Sequence, residues 1–133
     1  MVSIDDRIES LQNTIDSLMY WDAGVANFEC KYLGDEVTLY INLDDEIAEI
    51  AFKFCYIVNY RGDLEHCEKG TEMKLKNRFG HDVQNISVKK SSEYSSMMEI
   101  NLDFILFEVS IICRDITITK RPFAEYHFFW QDN

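Results

Sequence analysis

Between Asp35 and Tyr60 the chain reads DEVTLYINLDDEIAEIAFKFCYIVNY, and apolar side chains recur there at every second position. Val37, Leu39, Ile41 and Leu43 are separated by Thr38, Tyr40 and Asn42. Ile50, Phe52, Phe54, Tyr56, Val58 and Tyr60 are set against Glu49, Ala51, Lys53, Cys55, Ile57 and Asn59. Successive side chains of a strand point to opposite faces, so a period of two predicts two strands with one apolar face. The acidic turn Asp44-Asp45-Glu46 joins them, and the pair is expected as an antiparallel hairpin. A chain with such a hairpin must cover one face of a sheet.

The N-terminal residues offer a cover. Ser3 is placed to cap a helix, with Asp6 three residues later as a short form of the capping box. Ile4, Ile8, Leu11, Ile15 and Leu18 then form one stripe, which predicts an amphipathic helix over residues 4–19, ended by Gly24. Ala26, Phe28, Cys30 and Tyr32 alternate next, and Leu33-Gly34-Asp35 turns that strand into the hairpin. Arg61-Gly62-Asp63 signals another turn, and residues 61–82 show no clear period. Val83, Ile86 and Val88 mark a short strand, and Met98, Ile100, Leu102, Phe104 and Leu106 alternate again. From Phe104 to Ile118 apolar residues occupy both faces, as in a strand covered on both sides. That run is too long for one strand, so a bend is expected near Phe107-Glu108 or Arg114-Asp115. The aromatic tail from Phe123 to Trp130 is either a last strand or an exposed patch. The expected fold is α+β: one N-terminal amphipathic helix packed on a mainly antiparallel, curled sheet of about six strands. At 133 residues it is expected as a single domain over residues 1–133.

Little in the sequence points to chemistry. Cys30, Cys55, Cys67 and Cys113 lie far apart; Cys30, Cys55 and Cys113 fall in apolar strand patterns, where free cysteine acts as a small buried hydrophobe. Reduced thiols in a cytoplasmic protein are expected. His66 and Cys67 are adjacent, and neighbours in sequence rarely ligate one metal together; Asp44-Asp45-Glu46 lacks the spaced oxygens and glycine of a calcium loop. There is no G-x-S-x-G, no phosphate cradle and no local motif around any cysteine or histidine. Neither a catalytic residue nor a metal or cofactor site is predicted, and the chain is not expected to be an enzyme. No apolar run reaches the roughly 18 residues of a membrane span, and MVSIDDRIES lacks the basic and apolar parts of a secretory leader.

Charge is the strongest functional signal. The net charge is −11, and it is unevenly held: residues 1–68 carry 15 acids and 4 bases, whereas residues 69–133 carry 9 of each. Such a field repels nucleic acid and anionic lipid and speeds encounter with a basic protein. The basic segment Lys69, Lys74, Lys76 and Arg78 does not outweigh it. A protein partner is therefore expected, with no nucleic acid and no membrane. The candidate contacts are Asp35 and Glu36 at one turn, Asp44, Asp45 and Glu46 at the next, and Asp63, Glu65 and Glu68 after the third strand. Tyr60 is the candidate anchor, with Tyr40 and Trp21 as others, because aromatic residues dominate binding hot spots. Adjacent turns of a meander fall at opposite ends of a sheet, so the acids divide between two ends. Solubility alone also explains an acidic surface. A second functional reading is a small-molecule-binding or catalytic β-domain, with a pocket inside the curled sheet among Phe52, Phe54, Tyr56, Met98 and Phe104. Monomer and homodimer are both compatible with the sequence.

The stretch WDAGVANFECKYLGDEVTLYINL, leading into an aromatic strand of a small acidic chain, resembles bacterial immunity proteins of polymorphic-toxin and contact-dependent-inhibition systems. The resemblance covers about the first 60 residues. It implies a single-domain α+β protein that binds and neutralises a cognate toxin domain, often a basic nuclease. It also implies a mechanism, in which an acidic surface covers the toxin's active-site cleft or binds beside it.

Overall fold

Ser3 starts the helix α1 (Ile4–Asp16): its hydroxyl accepts the Asp6 N–H at 3.1 Å, satisfying one of the donors that a helix start leaves open. The structure is a computed structural model that describes residues 3–62, 82–104 and 107–122. Asp63, Glu65, Glu68, Cys67 and the aromatic tail lie outside the described residues. α1 stops at Asp16, short of residue 19, with Ser17 as its C-cap. Met19 and Asp22 then adopt φ values of 54° and 65°, so the chain reverses before Gly24. Gly24 opens a strand instead of ending the helix.

The strands are β1 (Gly24–Lys31), β2 (Glu36–Asn42), β3 (Glu46–Gly62), β4 (Val83–Lys90), β5 (Met98–Phe104) and β6 (Phe107–Pro122), with a 3-10 turn at Tyr32–Gly34. They make one six-stranded sheet in the order β1-β2-β3-β6-β5-β4. Every neighbouring pair is antiparallel. With its single N-terminal helix the fold is α+β, as expected. The sheet is not closed into a barrel: among the described residues the outer strands meet through one bridge, Gly24 to Asp82. The long apolar run divides just before Phe107-Glu108, and β6 then continues unbroken past Arg114-Asp115.

One face of the sheet is dry. Leu11, Ile15 and Leu18 of α1 are buried with Val37, Leu39, Ile41, Ile50, Phe52, Ile100, Leu102 and Ile111, and Ile4 and Ile8 pack partly against the same cluster. Burying a side chain such as Phe52 stabilises the fold by about 1.5–3 kcal/mol. The other face is largely polar: Arg121 pairs with Glu49 at 2.6 Å, and the Thr119 hydroxyl donates to the same carboxylate at 3.1 Å. One covered and one wet face is the usual arrangement of an antiparallel sheet.

The helix does more than cover the core. β4 is an outer strand, and a bare strand edge invites pairing with another chain. Here the Gln12 side chain donates to the Ile86 carbonyl at 2.9 Å and accepts the Val88 N–H at 2.7 Å. The Tyr20 hydroxyl, on a fully buried side chain, accepts the Ile86 N–H at 2.8 Å. Burial raises the Tyr20 pKa, the larger effect against the opposing hydrogen bond with Ile86. These two side chains thus satisfy edge groups that would otherwise be left open. Gln12→Ala is expected to cost about 1–3 kcal/mol in urea unfolding, because it orphans a half-buried donor and acceptor. An unchanged midpoint would show that the edge contacts contribute nothing.

Candidate functional site

β2 begins at Glu36, opposite Lys53 of β3. From Phe54 to Gly62, β3 therefore runs past the end of β2, with β6 beside it. The ladder slips in this overhang: Cys55 faces Cys113, but the next pair is Ile57 with Ile112, so β3 carries an extra residue. Phe54 has a φ of 57°. An inserted residue changes which face the following side chains meet. Phe52 is buried, yet Phe54 and Tyr56 are each 60% exposed. Cys55 and Val58 pack against the core instead. Tyr60 lies at the rim with its ring 5.2 Å from that of Phe107, and remains 54% exposed. The predicted single apolar face from Ile50 to Tyr60 is thus corrected: alternation holds as far as Phe52, breaks at Phe54 with its φ of 57°, and leaves Phe54 and Tyr56 facing out and Cys55 facing in, just before the ladder slips between Cys55 and Ile57.

The β1–β2 connection is tied to this bulge, because the Cys55 N–H donates to the Asp35 carbonyl at 2.9 Å. Tyr32, Leu33 and Gly34 there have φ values of 53°, 59° and 94°. The left-handed region costs a bulky residue about 1–2 kcal/mol, yet Tyr32 is 75% exposed and Leu33 fully so. No core burial at these exposed positions offsets that cost. Tyr32, Leu33, Asp35, Cys55, Tyr56 and Tyr60 line a shared groove of about 640 Å³. Strained backbone holding exposed large side chains is more common at binding surfaces than elsewhere.

Cys55 and Cys113 are both free thiols. The hydrogen bond from Cys113 holds the Cys55 thiol below its ordinary range, and that bond together with burial pushes Cys113 up. Cys30 is exposed, not buried as its strand pattern predicts, because it stands at the rim of the groove. Among the described residues no group of acidic, histidine or cysteine side chains is arranged to hold a metal ion. None of the described helices is long and apolar enough to cross a membrane.

The structure divides the predicted acidic contacts as their turns require. Asp35 is exposed and Glu36 half-buried at the groove end of β2; Asp44 and Asp45 are exposed and Glu46 half-buried at the other. The length of β2, about 20 Å, separates them. Asp44 takes a φ of 75°, and the Asn42 side chain accepts its N–H at 2.9 Å, a local bond that favours this turn. Tyr60 stands in the groove with Asp35 and far from Asp44. Among the described residues, none of these five carboxylates forms an ion pair. Two bases of the first half turn instead to acids of the second: Arg7 to Asp115 at 2.9 Å and Arg61 to Glu108 at 3.6 Å. Lys31 pairs with Glu29 at 3.5 Å.

Other sequence candidates fall elsewhere. Tyr40 is buried, and Trp21 stacks on Tyr20 with ring centroids 4.5 Å apart. The five residues proposed for an internal pocket are not brought together: Phe52, Met98 and Phe104 are buried in the core, whereas Phe54 and Tyr56 are outside it. Tyr32, Leu33, Phe54 and Tyr56 were not legible as surface. The available signal was Gly34 beside two large residues at a turn.

A family model described as Immunity protein PIM7 matches residues 7–120, which include α1 from Arg7 onward and nearly all of the sheet. The chain belongs to this family. Immunity proteins neutralise toxins, so a toxin-neutralising role in general terms follows, and such families are generally non-catalytic. This immunity protein is also similar to a crystal structure of an uncharacterized protein from Neisseria gonorrhoeae. The TM-score is 0.50 at 16% identity, covering 77% of this chain and 93% of that one, a likeness of fold alone. No curated protein matches the chain.

Glycine occupies the left-handed region without a side-chain penalty, so Leu33→Gly in the immunity protein should raise unfolding stability by about 1 kcal/mol. A loss of stability in urea or heat would contradict the φ of 59° at that position.

Proposed function

We propose that this immunity protein neutralises a basic toxin domain, of the kind a nuclease presents, by forming a stoichiometric complex through its acidic first half. The carrying observation is that Asp35, Glu36, Asp44, Asp45 and Glu46 stand exposed or half-buried with no ion pair to a described base. Arg7 and Arg61 are engaged with other carboxylates, Asp115 and Glu108, while Lys31 and Lys53 flank Glu36 across the ladder and leave Asp35, Asp44, Asp45 and Glu46 to carry the field. Asp63, Glu65 and Glu68 join the proposal on charge alone. A negative surface of this kind accelerates docking onto a cationic cleft, and a polyanion-binding cleft is cationic by necessity. In this reading the partner is a protein, the inhibitor turns over no substrate, and the complex forms in the cytoplasm.

The test uses the C-terminal domain of the protein encoded immediately upstream, purified and mixed with this chain. Association should slow steeply as salt rises. Joint reversal of Asp44, Asp45 and Glu46 to lysine should cut the association rate about tenfold at low salt with an unchanged circular dichroism spectrum. A tight complex whose rate ignores both salt and these reversals would remove the acidic surface from the mechanism. Absence of any complex would remove that domain as the partner.

A further inference from the structure

We propose that the groove at the overhang of β3 is the docking site of a basic polypeptide segment, and that it seats an arginine or lysine side chain among Tyr32, Tyr56 and Tyr60 beside Asp35. The proposal rests on the protein-binding reading above and names a part of the surface that charge alone does not. Three observations meet there. The groove is walled by exposed aromatic rings and Leu33, a grouping that folded surfaces seldom leave without a use. Two of its three tyrosine rings pack against a neighbouring ring, Tyr56 on Tyr94 at 4.9 Å and Tyr60 on Phe107 at 5.2 Å, so these two have less side-chain freedom to lose on binding. Its one acidic lining residue, Asp35, has no described ion pair and has Glu36 as its neighbour.

Aromatic faces beside a carboxylate suit a cation with an apolar stem, which describes arginine and lysine. The alternatives fit less well. A second copy of this chain brings its own −11 to the contact and repels. The preferred occupant is therefore a loop of a positively charged protein. The acids at Asp44–Glu46 lie at the far end of β2 and act on approach, whereas the groove holds what has arrived.

Aromatic-region NMR of the free protein reads the groove directly. The probe is the peptide acetyl-Gly-Arg-Leu-Arg-Gly-amide, with its citrulline counterpart as the uncharged control. The expected result is saturable shifts of Tyr32, Tyr56 and Tyr60 with the arginine peptide, and binding about tenfold weaker for citrulline. Asp35→Asn and Leu33→Gly should each weaken binding, while Asp44→Asn should leave it unchanged. Leu33→Gly keeps this test clear of unfolding, since that change favours the local backbone. Equal response to both peptides, shifts confined to the Asp44 end, or no response overturns the groove assignment. So does self-association of the free protein, seen by sedimentation, that Leu33→Gly abolishes. A silent titration beside a tight, salt-sensitive toxin complex sinks the groove and spares the toxin reading; the reverse pattern spares the groove and removes that partner.

Discussion

The backbone ladder between β3 and β6 is the interaction on which the rest depends. It runs from Glu46 opposite Pro122 to Gly62 opposite Phe107, and both strands are unusually long. β2 and β1 hang from one side of it, β5 and β4 from the other. Because β2 is much shorter than β3, the spine projects beyond the meander. That projection is where the ladder slips by a residue, and where the large exposed side chains gather. Among the described residues a single helix covers the sheet, and Phe54, Tyr56 and Tyr60 at this end of the spine stay more than half exposed.

The uncovered parts are treated differently according to what they expose. At the β4 edge the hazard is open backbone, and Gln12 and Tyr20 close it with hydrogen bonds. At the β3 overhang the exposed material is side chain, and it is left open at a cost in backbone strain. Tyr32, Leu33 and Phe54 all sit at positive φ, with no burial to compensate. Stability is given up at one end of the molecule and carefully kept at the other. That contrast supports the reading of the overhang as a contact surface and not as a packing defect.

Much of this was legible in the residues. The stripe from Ile4 to Leu18, the paired periods of two, and the acidic turns are local signals, and they yield the helix, the strands and the split of acids between two ends. What local signals cannot carry is register. An alternating run looks the same whether or not one residue is inserted, and Phe54 has no glycine-like mark of the left-handed backbone it adopts. Hence Tyr56 reads as core and stands outside. Cys30 is misread in the same way, because its exposure depends on β2 ending where it does. The uneven charge was visible in the sequence, but that Arg7 and Arg61 turn to Asp115 and Glu108 depends on long-range pairing. The resemblance to immunity proteins held at the level of family, on features of style that carry no residue-level assignment.

The central claim is that β3 leaves strict alternation at Phe54, so that Phe54 and Tyr56 face solvent just before the ladder slips between Cys55 and Ile57. Photo-CIDNP NMR, which polarises tyrosine rings that a dissolved dye can reach, tests it with one spectrum. The account predicts strong signals from Tyr32, Tyr56 and Tyr60 and none from the buried Tyr20 and Tyr40. Silence from Tyr56, as strict alternation after Phe52 requires, would contradict it.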